Sequence, residues 1–315
     1  MTAVTEFILL GFQVSQNIRI LMFSLLIVIY WFTMFMNLLI ITLVSTSKIL
    51  HTPMYFFISH LSITDILLTT DIVPNMLHIL LYNREAITFV GCMIQLYVFG
   101  SLEASECFLL AVMSYDRYVA ICNPLRYASI MTSTYCVILS IISWLAAFCI
   151  MSFLTFAILM LNFCGPNIID HFFCDTLPVL ELSCTDLYDT QLEMSLLGIP
   201  LTLFPIIIII FSYTRIIVTI LRITSSTGRQ KAFSTCSSHL IVVSIFYWTM
   251  FGVYVVPKRI QSSTISKILS LLYTVFTPLI NPIIYSLKNN DIKKSLHDQV
   301  YKRFLKTQAG LISLI

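Results

Sequence analysis

The sequence predicts an all-α membrane protein, a bundle of seven transmembrane helices followed by a short amphipathic eighth helix. Three observations predict it. Of 315 residues, 58% are hydrophobic and only 10% charged, against about 25% charged in a soluble domain. Polar surface could not cover that much apolar side chain. Apolar stretches long enough to cross a bilayer occur seven times, and lysine and arginine gather in alternate connecting segments.

A spanning helix needs roughly 20 mostly apolar residues. Residues 1–20 lack the basic start and small-residue cleavage pattern of a signal peptide, so the first span is expected to serve as its own insertion signal. That span, Leu21 to Val44, carries no formal charge. The second, Met54 to Leu80, and the third, Cys92 to Asp116, are apolar but interrupted by acids. Cys136 to Asn162 and Met194 to Thr214 are uncharged, and Cys236 to Val256 holds one histidine. Ile268 to Leu287 is uncharged and carries Pro278 and Pro282. Between Lys288 and Tyr301, the apolar residues Ile292, Leu296 and Val300 recur at helical spacing, which reads as an amphipathic helix lying on the membrane. The chain therefore divides into residues 1–20, 21–287 and 288–315. No internal repeat of the transporter kind is visible.

Basic residues set the expected orientation. With the N-terminus outside, 13 of the 18 lysines and arginines fall on inner segments, among them Lys48, Arg117, Arg126, Arg222 and Lys293. Arg19, Arg84, Lys258, Arg259 and Lys267 fall outside. The bias puts the N-terminus outside and residues 288–315 in the cytoplasm. The same topology leaves four cysteines outside, Cys92, Cys164, Cys174 and Cys184. Disulfides are expected on that oxidising face, and four cysteines allow three pairings. The other five read as free packing residues.

Several functions are excluded. The closest glycines, Gly91 and Gly100, are nine positions apart, which rules out phosphate-cradling loops. No HExxH, GxSxG or CxxC occurs, and no GxGD context suggests an intramembrane aspartyl protease, so an enzyme is not expected. A net charge of +3 gives no reason to expect nucleic acid. A transporter or channel predicts repeat symmetry or a polar-lined pore, and neither is seen.

Five motifs then stand in register: LHTPMYFFISHLSITD (Leu50 to Asp65), MSYDRYVAICNPLRY (Met113 to Tyr127), Ser212 with Tyr213, KAFSTCSSHL (Lys231 to Leu240) and NPIIYSLKN (Asn281 to Asn289). Together they resemble the odorant (olfactory) receptors of the rhodopsin-like G-protein-coupled family, in their tetrapod-type class. The resemblance implies a plasma-membrane receptor, in olfactory cilia, that binds small volatile molecules inside the bundle. It implies activation of the stimulatory olfactory heterotrimeric G protein and a rise in cyclic AMP. A non-olfactory chemosensory receptor for a small ligand, an amine among them, is the alternative. The basic inner surface would face anionic lipid as well as the G protein.

The resemblance assigns roles residue by residue. Asp116, Arg117 and Tyr118 would form the switch at the inner end of the third span, with Tyr213, Asn281, Pro282 and Tyr285 rearranging around it. A bland reading makes Asp116 and Arg117 an interface anchor. Pro282 should kink the seventh span and Pro205 the fifth. Cys92 should join Cys174, and Cys164 should join Cys184. Asp65 and Glu106 lie deep in their spans, where acids usually mark function. With Asn37 and Asn281 they resemble the polar centre that holds a sodium ion in resting receptors. The competing reading is a protonated, hydrogen-bonded structural network. No other cofactor is expected. His171 beside Cys174 invites a metal-site reading, which a disulfided Cys174 would oppose.

The odorant pocket is expected among the outer halves of the third, fifth, sixth and seventh spans. Phe99, Glu103 and Glu106 share a helix face, with Gly100 and Ala104 beside them. The fifth span offers Leu197 and Leu201; the sixth Tyr247, Met250, Phe251 and Tyr254; the seventh Leu271 and Thr274. Plain helix packing is the alternative for each. Glu103 is individual to this chain, which reads SLEASE where family members often have a pattern like SLG. It would contact the odorant, a cationic or strongly hydrogen-bond-donating ligand such as an amine, or else bond to a neighbouring helix. Other departures are the absence of any Asn-x-Ser/Thr site, Met36 before Asn37, His60 for a usual asparagine, and Trp248 in FYWT where FYGT is usual.

Overall fold

A computed structural model describes residues 4–164, 166–184, 187–254 and 263–299. Among them are seven helices long and apolar enough to cross a membrane. The first six run Gln16–Thr46, Pro53–Tyr82, Phe89–Cys122, Ser133–Leu159, Leu187–Arg222 and Ser226–Tyr254. The seventh is interrupted: α-helix Ser263–Leu271, a π turn at Leu272–Phe276, and α-helix Thr277–Lys288. The first begins at Gln16 rather than Leu21, and the third extends past its predicted stretch at both ends. A helix does not stop where its apolar run stops. It stops where a cap, a turn residue or a proline intervenes. Thr88 Oγ1 accepts from Gly91 N at 3.0 Å to start the third span, and Pro53 occupies the first turn of the second. Asn83, at φ 70°, closes the second in the left-handed conformation.

The third span is the axis of the bundle. In its most apolar stretch 72% is buried, against 22% for the first and fourth spans. Its buried small residues, Ser101, Ala104 and Ser105, let neighbours approach. At Gly100 a Cβ would stand 2.2 Å from Met151 Cε of the fourth span. One core cluster surrounds the Arg117 end, with Phe57, Leu110, Ile216 and Phe246, and a second surrounds the disulfide end, with Phe7, Phe99, Phe172 and Phe173. Large apolar side chains such as Trp31, Phe35, Ile207 and Leu221 are more than half exposed on the outer surface, as a lipid-facing surface requires.

The disulfide end carries a small sheet that the sequence did not announce. β1 (Glu6–Leu9) pairs antiparallel with β2 (Glu85–Thr88) and parallel with β3 (Ile168–Ile169). Strands this short show too few alternations for a period to be read. Phe7 and Leu9 are fully buried beneath the sheet. Gly11 turns the chain out of β1 with φ 61°, and a Cβ there would meet Ile79 Cγ2 at 2.4 Å. Both outer cysteine pairs are bridged, Cys92–Cys174 and Cys164–Cys184. Lys267, 5% exposed, clamps this end from the seventh span by donating to Asp170 Oδ1 at 2.5 Å and Gly11 O at 2.8 Å. Partial burial raises the Asp170 carboxyl, but the hydrogen bonds from Lys267 and Ser263 prevail and hold it below its usual value.

Beyond the seventh span, residues 290–299 form the eighth helix. Ile292 is buried in the core at the Arg117 end, while Leu296 stays 37% exposed; Val300 lies outside the described residues. Tyr55 Oη pins the start of this helix, 2.7 Å from Asn289 Oδ1 and 2.9 Å from Asp291 Oδ2.

Candidate functional site

A cavity of about 970 Å3 opens among the third, fourth, fifth and sixth spans and the loop before the fifth. This is the upper part of the size range of small-molecule sites. Phe99, Gly100, Glu103 and Ala104 line it from the third span, Leu201 from the fifth, and Tyr247, Met250, Phe251 and Tyr254 from the sixth. The side chain of Leu197 lies outside the described residues. Leu271 and Thr274 are not among the residues that line this cavity. From the seventh span, Tyr273 meets two lining residues, its ring 5.7 Å from that of Phe99 and its hydroxyl 3.4 Å from that of Tyr254. Leu271 packs into the disulfide-end core, and Thr274 Oγ1 turns back to Ser270 O at 2.8 Å.

Two walls went unforeseen. The fourth span supplies Met151 and Leu154, and the loop supplies Asp175 and its neighbours. Gly100 was the available signal for the fourth span, because only a residue without a Cβ admits Met151 so closely. Trp248 both borders the cavity and is 74% exposed. Its ring meets Phe251 edge-on at 6.1 Å, so the indole forms the outer rim.

Below the cavity, Asp65 and Glu106 are 1% and 2% exposed. Both converge on Asn281, whose Nδ2 donates to Asp65 Oδ1 at 3.1 Å and to Glu106 Oε1 at 3.2 Å. Asn37 serves the backbone of the seventh span. Its Nδ2 donates to Pro278 O at 3.1 Å and to Thr33 O at 3.1 Å. Pro278 O is the carbonyl that the missing N–H of Pro282, four residues on, cannot serve. Asn37 fills that vacancy from another helix, and among the hydrogen bonds of the described residues nothing ties it to the two acids.

At the far end of the third span, Arg117 Nε donates to Asp116 Oδ2 at 2.9 Å, and Arg117 Nη2 reaches the same oxygen. Tyr127 Oη donates to Asp116 Oδ1 at 2.8 Å. Burial and the adjacent Asp116 carboxylate raise the Tyr127 hydroxyl well above its usual value, so it stays a donor. Asp116 is fully buried and the Arg117 side chain is 11% exposed. Tyr213 Oη lies 2.6 Å from His239 Nδ1, a partner the KAFSTCSSHL motif contained but the sequence did not single out. Tyr285 is 2% exposed. Tyr118 packs against Phe211 of the fifth span, rings 6.0 Å apart. His171 is buried, stacked on Phe172 with centroids 4.7 Å apart.

Comparison with known proteins agrees across nearly the whole chain. A family model described as olfactory receptor matches residues 26–306. Human olfactory receptor 10A7 is 48% identical over 307 residues, covering 97% of this chain and 96% of its own. Mouse olfactory receptor 5P60 is 47% identical, covering 96% and 94%. In three dimensions the chain is similar to squid rhodopsin in its crystal structure, with TM-score 0.67 at 17% identity over 93% of this chain and 88% of that one. That likeness shows the fold.

Proposed function

The chain belongs to the olfactory receptor family, and from that premise we propose that it binds small, mostly apolar odorants in the cavity beside the third span and passes the event to a stimulatory heterotrimeric G protein. It is a multi-pass membrane receptor and not an enzyme. One observation carries the reading. The cavity and the Asp116–Arg117 pair lie on the same continuous helix, Phe89–Cys122.

Odorant seated against Phe99, Glu103 and Ala104 touches the upper turns of that helix and the inner face of the sixth span. At the other end of the third span, Asp116 is bonded by Arg117 and Tyr127. Displacing the sixth span relative to the fifth would strain the Tyr213–His239 contact that joins them, and release of Arg117 from Asp116 would free it for the G protein. Basic residues on that side support a cytoplasmic orientation with the N-terminus outside. Asp65 and Glu106 suit a sodium ion by their chemistry, two hard carboxylate donors meeting at Asn281. A bound cation would stabilise both carboxylates in the resting arrangement. Asn37 donates its Nδ2 to Pro278 O and keeps its Oδ1, the atom a cation would use, buried and without a hydrogen-bond partner.

The test is a cyclic-AMP reporter in cells supplied with the olfactory stimulatory G protein and an odorant panel. A ligand-dependent rise that Arg117→Ala abolishes at equal surface expression is expected. Silence despite confirmed surface expression, with ion flux instead, would overturn the proposal.

A further inference from the structure

Deepening the proposed function and resting on it, we infer that the cavity has a membrane-facing portal between the fifth and sixth spans, gated by the Trp248 indole, through which apolar odorants enter from the bilayer rather than from water. Residues that line a closed cavity are buried, as Phe99, Ala104 and Cys107 of the third span are. Leu203 and Ile210 of the fifth span and Trp248 and Phe251 of the sixth also line it. Yet they are 49%, 60%, 74% and 50% exposed. A side chain can do both only where the cavity wall is also the outer surface of the bundle.

The spacing shows where that happens. Leu203 and Ile210 stand at i and i+7 on the fifth helix, and Ser244, Trp248 and Phe251 at i, i+4 and i+7 on the sixth, so each helix contributes one stripe. Both stripes line the cavity, and they belong to stretches apolar enough to lie in a membrane, Leu201–Arg222 and Cys236–Tyr254. Ser244 Oγ is turned back on Leu240 O at 2.7 Å, so the stripe sets no polar barrier. Trp248 meets Phe251 of its own helix edge-on at 6.1 Å. Turning the indole therefore opens the seam without parting the helices, which the Tyr213–His239 contact ties together lower down.

The disulfide end is built otherwise. There the short helix Thr176–Leu180 of the loop lies on the cavity. Val179 is fully buried and Leu180 is 7% exposed. The Cys92–Cys174 bridge and the Cys174 N–H, which donates to Gln95 Oε1 at 3.0 Å, fix that loop to the third span. An apolar molecule concentrates in hydrocarbon rather than water. It thus meets the exposed apolar seam at higher concentration than the tethered loop.

Cys107 lines the cavity and is fully buried, so its thiol reports what arrives there without any signalling. Cys149, exposed on the fourth span, is the reference in the same sample. The full-length receptor in lipid nanodiscs is treated with N-cyclohexylmaleimide, or with a sulfonated maleimide that stays in water, and labelled peptides are quantified by mass spectrometry. The apolar reagent should label Cys107 and the sulfonated one should not. Trp248→Ala removes the ring contact with Phe251 and should speed labelling of Cys107 relative to Cys149 by about 2- to 10-fold. Leu203→Trp adds a ring to the opposite rim and should slow it by a similar factor. Trp31→Ala, on the exposed face of the first span, should change nothing. Labelling of Cys107 by the sulfonated reagent as fast as by the apolar one would put entry on the water side and overturn the portal. So would a rate indifferent to Trp248→Ala and Leu203→Trp, or a Cys107 that the apolar reagent misses while Cys149 reacts. A receptor that raises cyclic AMP but gives one of those results loses only the portal. One that labels as expected but stays silent in the reporter loses the receptor reading instead.

Discussion

Asn37 permits a sharp test because its amide replaces a backbone hydrogen bond. Proline at 282 removes the N–H that would serve Pro278 O, and Asn37 Nδ2 replaces it from the first span at 3.1 Å. Asn37 is fully buried, so Asn37→Ala leaves a buried carbonyl without a donor. That loss costs about 1–3 kcal/mol, and the space left behind adds roughly 1 kcal/mol. At about 2 °C per kcal/mol for a chain of this size, the apparent Tm of the purified receptor should fall by about 4–8 °C. Pro282→Ala restores a backbone N–H four residues after Pro278. In that background the carbonyl has its own helix partner, and Asn37→Ala should cost less by about 1 kcal/mol or more, a coupling a double-mutant cycle resolves. Thermal unfolding of the four proteins, followed by tryptophan fluorescence at equal detergent and salt, gives the cycle. If the two substitutions add without interaction, Asn37 is not replacing the missing donor, and the account of the kinked seventh span is wrong.

Other substitutions probe the remaining contacts. Asn281→Ala strips the shared donor from Asp65 and Glu106; it should destabilise the receptor by about 2–4 kcal/mol and blunt any sodium dependence of thermal stability, whereas an unchanged sodium response would separate the ion from these acids. Tyr127→Phe removes the bond that holds Asp116, and basal cyclic-AMP signalling should rise by up to about 10-fold; a receptor as quiet as wild type at matched surface level would argue against the Asp116–Arg117 lock. Asp170→Ala leaves the buried Lys267 ammonium with Gly11 O alone. Because Asp170 is itself 53% exposed, the expected loss is discounted to about 1–2 kcal/mol, read as faster amide exchange in residues 4–12. The same clamp should weaken in acid. A carboxyl held below its usual value contributes fully above its unfolded pKa and loses that contribution as pH falls through the lowered one. Exchange in residues 4–12 that ignored acidification would deny Asp170 the role.

The sequence by itself determined the spans, because a helix in lipid must satisfy its own backbone and present about 20 apolar residues. That requirement is local and composition alone can meet it. The run of motifs likewise identified the Asp116–Arg117 end, since those residues are neighbours on one helix. What needed the tertiary structure was every relation between helices. Asn37 was read beside the acid centre, and only the packing of the first span on the seventh showed that its Nδ2 serves the carbonyl that Pro282 orphans. Leu271 and Thr274 were expected at the pocket, whereas Leu271 packs against the disulfide-end core and Thr274 Oγ1 bonds Ser270 O beside the π turn. Met151 and Asp175 enter the cavity from segments whose approach depends on Gly100 and on the Cys92–Cys174 bridge. Glu103 was visible as an acid where a small residue is usual. Only packing decided that Asp175 of the loop would line the same cavity, with the Tyr254 hydroxyl 3.4 Å from one carboxyl and 3.3 Å from the other.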